Sequence, residues 1–211
     1  MKIFNTIGLS LLAALLVACG GTADTEPTAT EEPVEMPQET VTEPSEPEPS
    51  DDGPLQEVGD TLSFEGGTME LLKVATIDET FTTGPIEMTV TKISVMNFQP
   101  NDLTKPAFDD KDNVTIIGVG MAVENTSADT INFYPDQSNL VTNTKEQVTP
   151  NLLISEQTGG EFFGEVVKEG VVGYVVESAP SDIEEITVNI MAPSDEAFST
   201  VGEPLTLDFT F

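Results

Sequence analysis

The chain has 211 residues, 38 of them acidic against 7 basic, for a formal net charge of −31, and it contains no histidine and no tryptophan. Every basic residue is a lysine, far too few to neutralise a row of phosphates or an anionic lipid surface, so nucleic acid and direct adhesion to lipid headgroups are not expected. Without histidine the usual Ser-His and Cys-His nucleophiles and all histidine metal sites are gone, and one cysteine leaves neither a disulfide nor a thiolate cluster.

Lys2 gives the chain a positive start, and Ile7 to Val17 is almost wholly apolar but short for a permanent membrane span. Leu16-Val17-Ala18-Cys19 closes that run and holds the only cysteine. The pattern reads as a lipoprotein signal: residues 1–18 are removed, a palmitate-type lipid is placed on the sulfur of Cys19, and the rest is carried to the outer face of the cell membrane. One acyl chain binds weakly, so a stable anchor needs more than one at the same cysteine.

Between Thr22 and Pro54, eleven acidic residues, no basic ones and seven prolines fill 33 positions, and Glu-Pro recurs five times. Such a segment buries too little to offset its chain entropy, so residues 19–54 are expected to form a disordered linker. Proline and like-charge repulsion stiffen it, giving an extended reach of about 110 Å at about 3.1 Å per residue.

From Leu55 onward, short alternating apolar runs are separated by turn residues. Thr61 to Phe64 and Met69 to Ile77 read as strands around a Glu65-Gly66-Gly67 turn. Ile86, Met88 and Val90 alternate, but then Ile93 and Val95 carry the apolar face, so one extra residue near Thr91-Lys92 predicts a β-bulge or a crossing between sheets. Val114 to Val123 places Ile117, Val119, Met121 and Val123 on one face, with Gly118, Gly120 and Ala122 on the other. Further strands are expected at Ile131 to Phe133, Ser138 to Thr142, Val171 to Glu177 after a turn at Lys168-Glu169-Gly170, Ile186 to Ile190, and Leu205 to Phe211. Eight or nine short strands in residues 55–211, with weak helical periodicity, predict one all-β domain: an antiparallel immunoglobulin-like β-sandwich.

Val119-Gly120-Met121-Ala122-Val123-Glu124-Asn125-Thr126-Ser127, and later Val167-Lys168-Glu169-Gly170 followed by Gly173-Tyr174-Val175-Val176, carry a likeness. They resemble the strand-and-turn motifs of telokin-like, immunoglobulin-fold extracellular lipoproteins of Gram-positive bacteria. The resemblance covers Leu55 to Phe211 and implies a cell-surface sandwich with no catalytic residues to assign.

Three candidate sites emerge. Asp109, Asp110 and Asp112 crowd oxygen ligands before the central strand and make a candidate Ca²⁺ loop, although the glycine and glutamate spacing of an EF-hand is missing. Asn125, Thr126 and Ser127 offer hydrogen-bonding groups, but such residues in a turn more often cap their own backbone. Phe162 and Phe163 lie between Gly159-Gly160 and Gly164. On an extended backbone adjacent side chains face opposite ways, so one ring should enter the core and the other mark an interaction surface. The reading that follows is a lipid-anchored, non-enzymatic surface protein without cofactors that binds a protein or wall component. A divalent-cation-binding module is the alternative, motivated by 27 acidic residues against 6 lysines in residues 55–211, a balance of −21.

Overall fold

A computed structural model describes residues 55–211. The expected signal sequence, Cys19 and the expected linker lie outside the described residues. Twelve strands run through the domain, and every pairing is antiparallel. They are β1 (Thr61–Phe64), β2 (Gly67–Thr83), β3 (Ile86–Pro100), β4 (Val114–Asn125), β5 (Thr130–Phe133), β6 (Asn139–Thr142), β7 (Gln147–Val148), β8 (Gly160–Phe163), β9 (Val166–Val176), β10 (Glu185–Ile190), β11 (Ser194–Asp195) and β12 (Leu205–Thr210). Among the described residues no helix is long and apolar enough to cross a membrane.

One layer is a five-stranded sheet in the order β1-β2-β3-β4-β9. The facing layer is built from a four-stranded sheet, β12-β10-β6-β7, and a three-stranded sheet, β11-β5-β8. Chain continuity links these two: β5 leads into β6 and β10 into β11. The first link is a 3₁₀ turn at Pro135–Gln137, where a proline without an N–H interrupts the ladder. The domain is therefore an antiparallel β-sandwich.

The core fills the space between the layers. Ile86, Met88, Val90, Ile93 and Val95 of β3, and Ile117, Val119, Met121 and Val123 of β4, meet Phe133, Leu140, Phe162, Ile186, Val188 and Phe209 of the opposite layer. Burial of each such side chain contributes about 1.5–3 kcal/mol. The phase slip in β3 is a bulge: Val90 pairs with Met121 but Lys92 pairs with Gly120, leaving Thr91 as the extra residue. That single insertion returns both Val90 and Ile93 to the inner face. A smaller cluster, Phe98, Phe108, Val114 and Ile116, lies apart from this core.

The long strands depart from the sequence reading. β2 continues to Thr83, past two register shifts at Leu71/Lys73 and Thr76/Glu79. β9 runs unbroken through Lys168-Glu169-Gly170, where a turn was expected, because each residue there pairs with β4: Lys168 with Val123, Glu169 with Ala122, Gly170 with Met121. Gly170 is required by a neighbour rather than by a turn. A Cβ there would meet the Glu156 side chain at 2.8 Å, in the segment that lies along β9. Backbone bonds from Asn151 and Glu156 to the carbonyls of Gly173 and Val171 cover this edge strand, which blunts a site for unwanted strand pairing.

Candidate functional site

The sandwich has two ends. One carries the Asn101–Asn113 loop between β3 and β4. The other carries the β2–β3 turn at Gly84-Pro85, the Thr126–Asp129 link from β4 to β5, the Gly164-Glu165 link from β8 to β9, and the Glu196–Pro204 segment from β11 to β12.

At the first end the three candidate metal ligands do not assemble. Asp109 and Asp110 are exposed, with left-handed backbone at φ 55° and 56°. Asp112 is ion-paired and hydrogen-bonded to Lys105. That bond, and the charge behind it, hold the Asp112 carboxyl below its usual range and push the Lys105 ammonium up. A cation would have to displace Lys105 to use Asp112, and among the described residues no three acidic side chains group as a metal site. The loop that carries these carboxylates is pinned from beneath. Its anchor is Phe108, packed edge-on against Phe98 at 5.2 Å, which in turn stacks on Phe64 at 5.7 Å.

At the second end the two adjacent phenylalanines part. β8 pairs with β5 so that Ile131 lies opposite Phe162 and Thr130 opposite Phe163. Phe162 is fully buried, and the Lys168 ammonium sits 4.4 Å from its ring centroid while donating to the Gly159 carbonyl at 2.7 Å. Phe162 is thus a core residue and presents nothing to a partner, which removes it from the candidate interaction pair. Phe163 is 69% exposed.

Asn125 organises the loops around Phe163. It is fully buried, and its amide nitrogen donates to the carbonyls of Asp129 (2.7 Å) and Gly164 (2.9 Å). Its side-chain oxygen accepts from the backbone N–H and the hydroxyl of Ser127. The Asn-Thr-Ser turn thus caps backbone, as turn chemistry favours. Thr126 continues the stitching by donating to the Pro85 carbonyl at 2.9 Å. The Thr83 hydroxyl donates to the Glu203 carbonyl and accepts from the Glu203 N–H, and Asn132 donates to the Asp195 carbonyl. Four loops are held to one another by short polar side chains.

Between them lies a cleft of about 470 Å³ lined by Pro85, Asp129, Thr130, Asp195, Glu196 and Ala197, among others. Its rim carries a residue the sequence reading missed. Phe198 is 80% exposed and holds a left-handed backbone at φ 59°. The Asp195 carboxylate maintains that turn by accepting from the N–H groups of Ala197 and Ser199. The available signal was turn chemistry, an Asp before a short stretch without apolar alternation, and it locates a turn without revealing that a ring stands at its tip.

A larger cleft of about 610 Å³, between β2 and the β10–β12 pair, holds Lys73, but that ammonium already donates to the Ser181 and Ile183 carbonyls. The buried Tyr174 hydroxyl bonds the Ser138 hydroxyl at 2.6 Å, and its enclosure pushes the phenol up to about 12. It is a satisfied core pair.

No family model matches the chain. It is similar to the uncharacterized SPbeta prophage-derived lipoprotein YonS of Bacillus subtilis, 31% identical over 157 residues that span 72% of this chain and 70% of the relative. It is also similar to the uncharacterized protein YdhF of the same organism, 25% identical over 82% of this chain and 79% of that one. A crystal structure of a functionally unknown Listeria monocytogenes protein shares the fold at TM-score 0.53 and 14% identity, covering 69% of this chain and 88% of that one. On the extent and identity of the first of these matches, the chain belongs to the family of the lipoprotein YonS.

Proposed function

We propose that this chain is a lipid-anchored protein of the outer face of the cell membrane, whose sandwich is a non-enzymatic binding domain of the telokin-like, immunoglobulin-fold type. The observation that carries the reading is Leu16-Val17-Ala18-Cys19 at the end of an apolar run, in a chain that belongs to a lipoprotein family. The lipid is carried on the Cys19 sulfur, and cleavage before Cys19 makes that residue the first of the mature chain. Residues 19–54 then act as a stiff acidic spacer and residues 55–211 as the displayed domain. Phe163 is the interaction residue of that domain: a large apolar side chain exposed on a rigid strand end is the kind of group that anchors partner recognition. Labelling with a radioactive or clickable fatty-acid precursor tests the anchor. The wild type should carry label in the membrane fraction and Cys19→Ala should carry none; equal labelling of both would refute it.

A further inference from the structure

Strand direction brings Phe163 and Phe198 to the same end of the three-stranded sheet. β8 and β11 both run antiparallel to the central β5, so β8 finishes opposite Thr130 and β11 opposite the next residue, Ile131. Thr130 lines the cleft, Phe163 is its partner in register on one side, and the Asp195–Ala197 wall on the other side carries Phe198 at its tip. Val166 and Val167, 37% and 53% exposed, follow at the start of β9 and face opposite sides of their sheet. Each exposed ring is thus a chain or register neighbour of a residue that lines the cleft.

The surroundings carry one sign of charge. Asp129, Glu165, Asp195, Glu196 and Glu203 stand in these loops, and the loops contain no basic residue. Lys168, two positions beyond Val166, is committed inward to the Phe162 ring and the Gly159 carbonyl. Phe198 also holds a backbone conformation that glycine or asparagine would adopt with less strain, yet its ring is not part of the core. The hydrogen bonds from Asn125, Thr126, Thr83 and Asp195 fix the loops in advance, so little ordering is left for a binding event.

We propose that this end of the sandwich docks a segment of another protein that presents apolar side chains flanked by lysine or arginine. The rings supply desolvated contact, and the acidic rim selects a basic partner and speeds its approach. A second copy of this chain is disfavoured, because its own loop end and its balance of −21 would repel. An anionic lipid surface is disfavoured by the same charge.

The inference rests on the binding-domain reading, and one experiment separates the two. In the full-length lipid-anchored protein on the cells that carry it, p-benzoylphenylalanine replaces Phe163, Phe198 or, as a control, Leu152. Leu152 is 85% exposed but lies in the segment along β9, away from the cleft. The expected result is one shared protein adduct from positions 163 and 198 and none from 152, with the crosslinked peptide apolar and net positive. Raising sodium chloride before irradiation should reduce the yield, since salt screens an exposed charged rim. Adducts to lipid, to a second copy, or to a net-negative peptide overturn the proposal. A protein adduct from 152 alone overturns it while leaving the binding-domain reading intact, and no adduct from any position sinks both.

Discussion

At the Asn101–Asn113 end, Phe64, Phe98 and Phe108 stack on one another, and the two ion pairs seen among the described residues, Lys105–Asp112 and Lys111–Glu177, both lie there. At the opposite end, Phe163 and Phe198 stand in solvent, and the acidic loops hold no lysine. The same residue type, phenylalanine, is stacked at one end and left in solvent at the other. An acidic run in sequence therefore says little about function. What distinguishes the ends is whether the rings already have partners within the fold and whether lysines stand beside the carboxylates.

The sharpest way to break this comparison is at the two adjacent rings. Phe162→Ala should remove a fully buried side chain together with its lysine contact and cost about 3–5 kcal/mol, whereas Phe163→Ala should leave the melting temperature nearly unchanged. Thermal unfolding of the two single variants measures this. Equal destabilisation would mean that Phe163 is also core and that the exposed surface does not exist as described.

Asn125→Ala should cost about 2–3 kcal/mol, because it strands the buried-side carbonyls of Asp129 and Gly164. Hydrogen exchange should quicken at Ser127, whose N–H the Asn125 oxygen accepts, while the Asn101–Asn113 loop stays unaffected. Quickened exchange at both ends would show that the ends are not independent.

Tyr174 gives a pH test that belongs to the core shared by both ends. Its folded value is raised from 10.0 to about 12, so the neutral phenol stabilises the fold fully below pH 10, and that contribution is lost as pH climbs from 10 toward 12. The loss approaches about 3 kcal/mol at the top of the window. Denaturant midpoints between pH 9 and 12 should fall for the wild type and flatten for Tyr174→Phe. A wild-type midpoint that stays level would place the hydroxyl in contact with water.

The smallest effect is expected at the acidic loop. Asp112 is lowered by Lys105, so its share of stability is present above the ordinary carboxylate range and disappears as pH falls below it. The pair is exposed, and Asp112→Asn should shift the neutral-pH melting temperature undetectably. Ca²⁺ and Mg²⁺ at equal ionic strength should stabilise the domain alike by screening its −21 balance, and a response specific to Ca²⁺ at micromolar to low-millimolar concentration would mark the loop as a metal site.

The sequence alone determined much of the strand plan. Period-two alternation located nine of the twelve strands, missing the short β7, β8 and β11, and even the bulge at Thr91 was legible as a slip in that alternation. Adjacent phenylalanines on an extended backbone had to face opposite ways, which follows from strand geometry before any partner is known. Which ring went inward was decided only by tertiary structure, through the register that set Ile131 opposite Phe162. The turn expected at Lys168-Glu169-Gly170 failed for a related reason. Gly170 is required by close approach of a distant segment, and no local pattern separates that from a turn glycine. Phe198 and the cleft beside it were hidden in the same way, because they exist where loops far apart in sequence meet, and strand periodicity carries no information about which loops share an end. The charge partners of the carboxylates were also set by the fold: Asp112 found Lys105 seven residues away across a turn, whereas the loops of the opposite end contain no lysine and Asp195 there binds only backbone N–H groups.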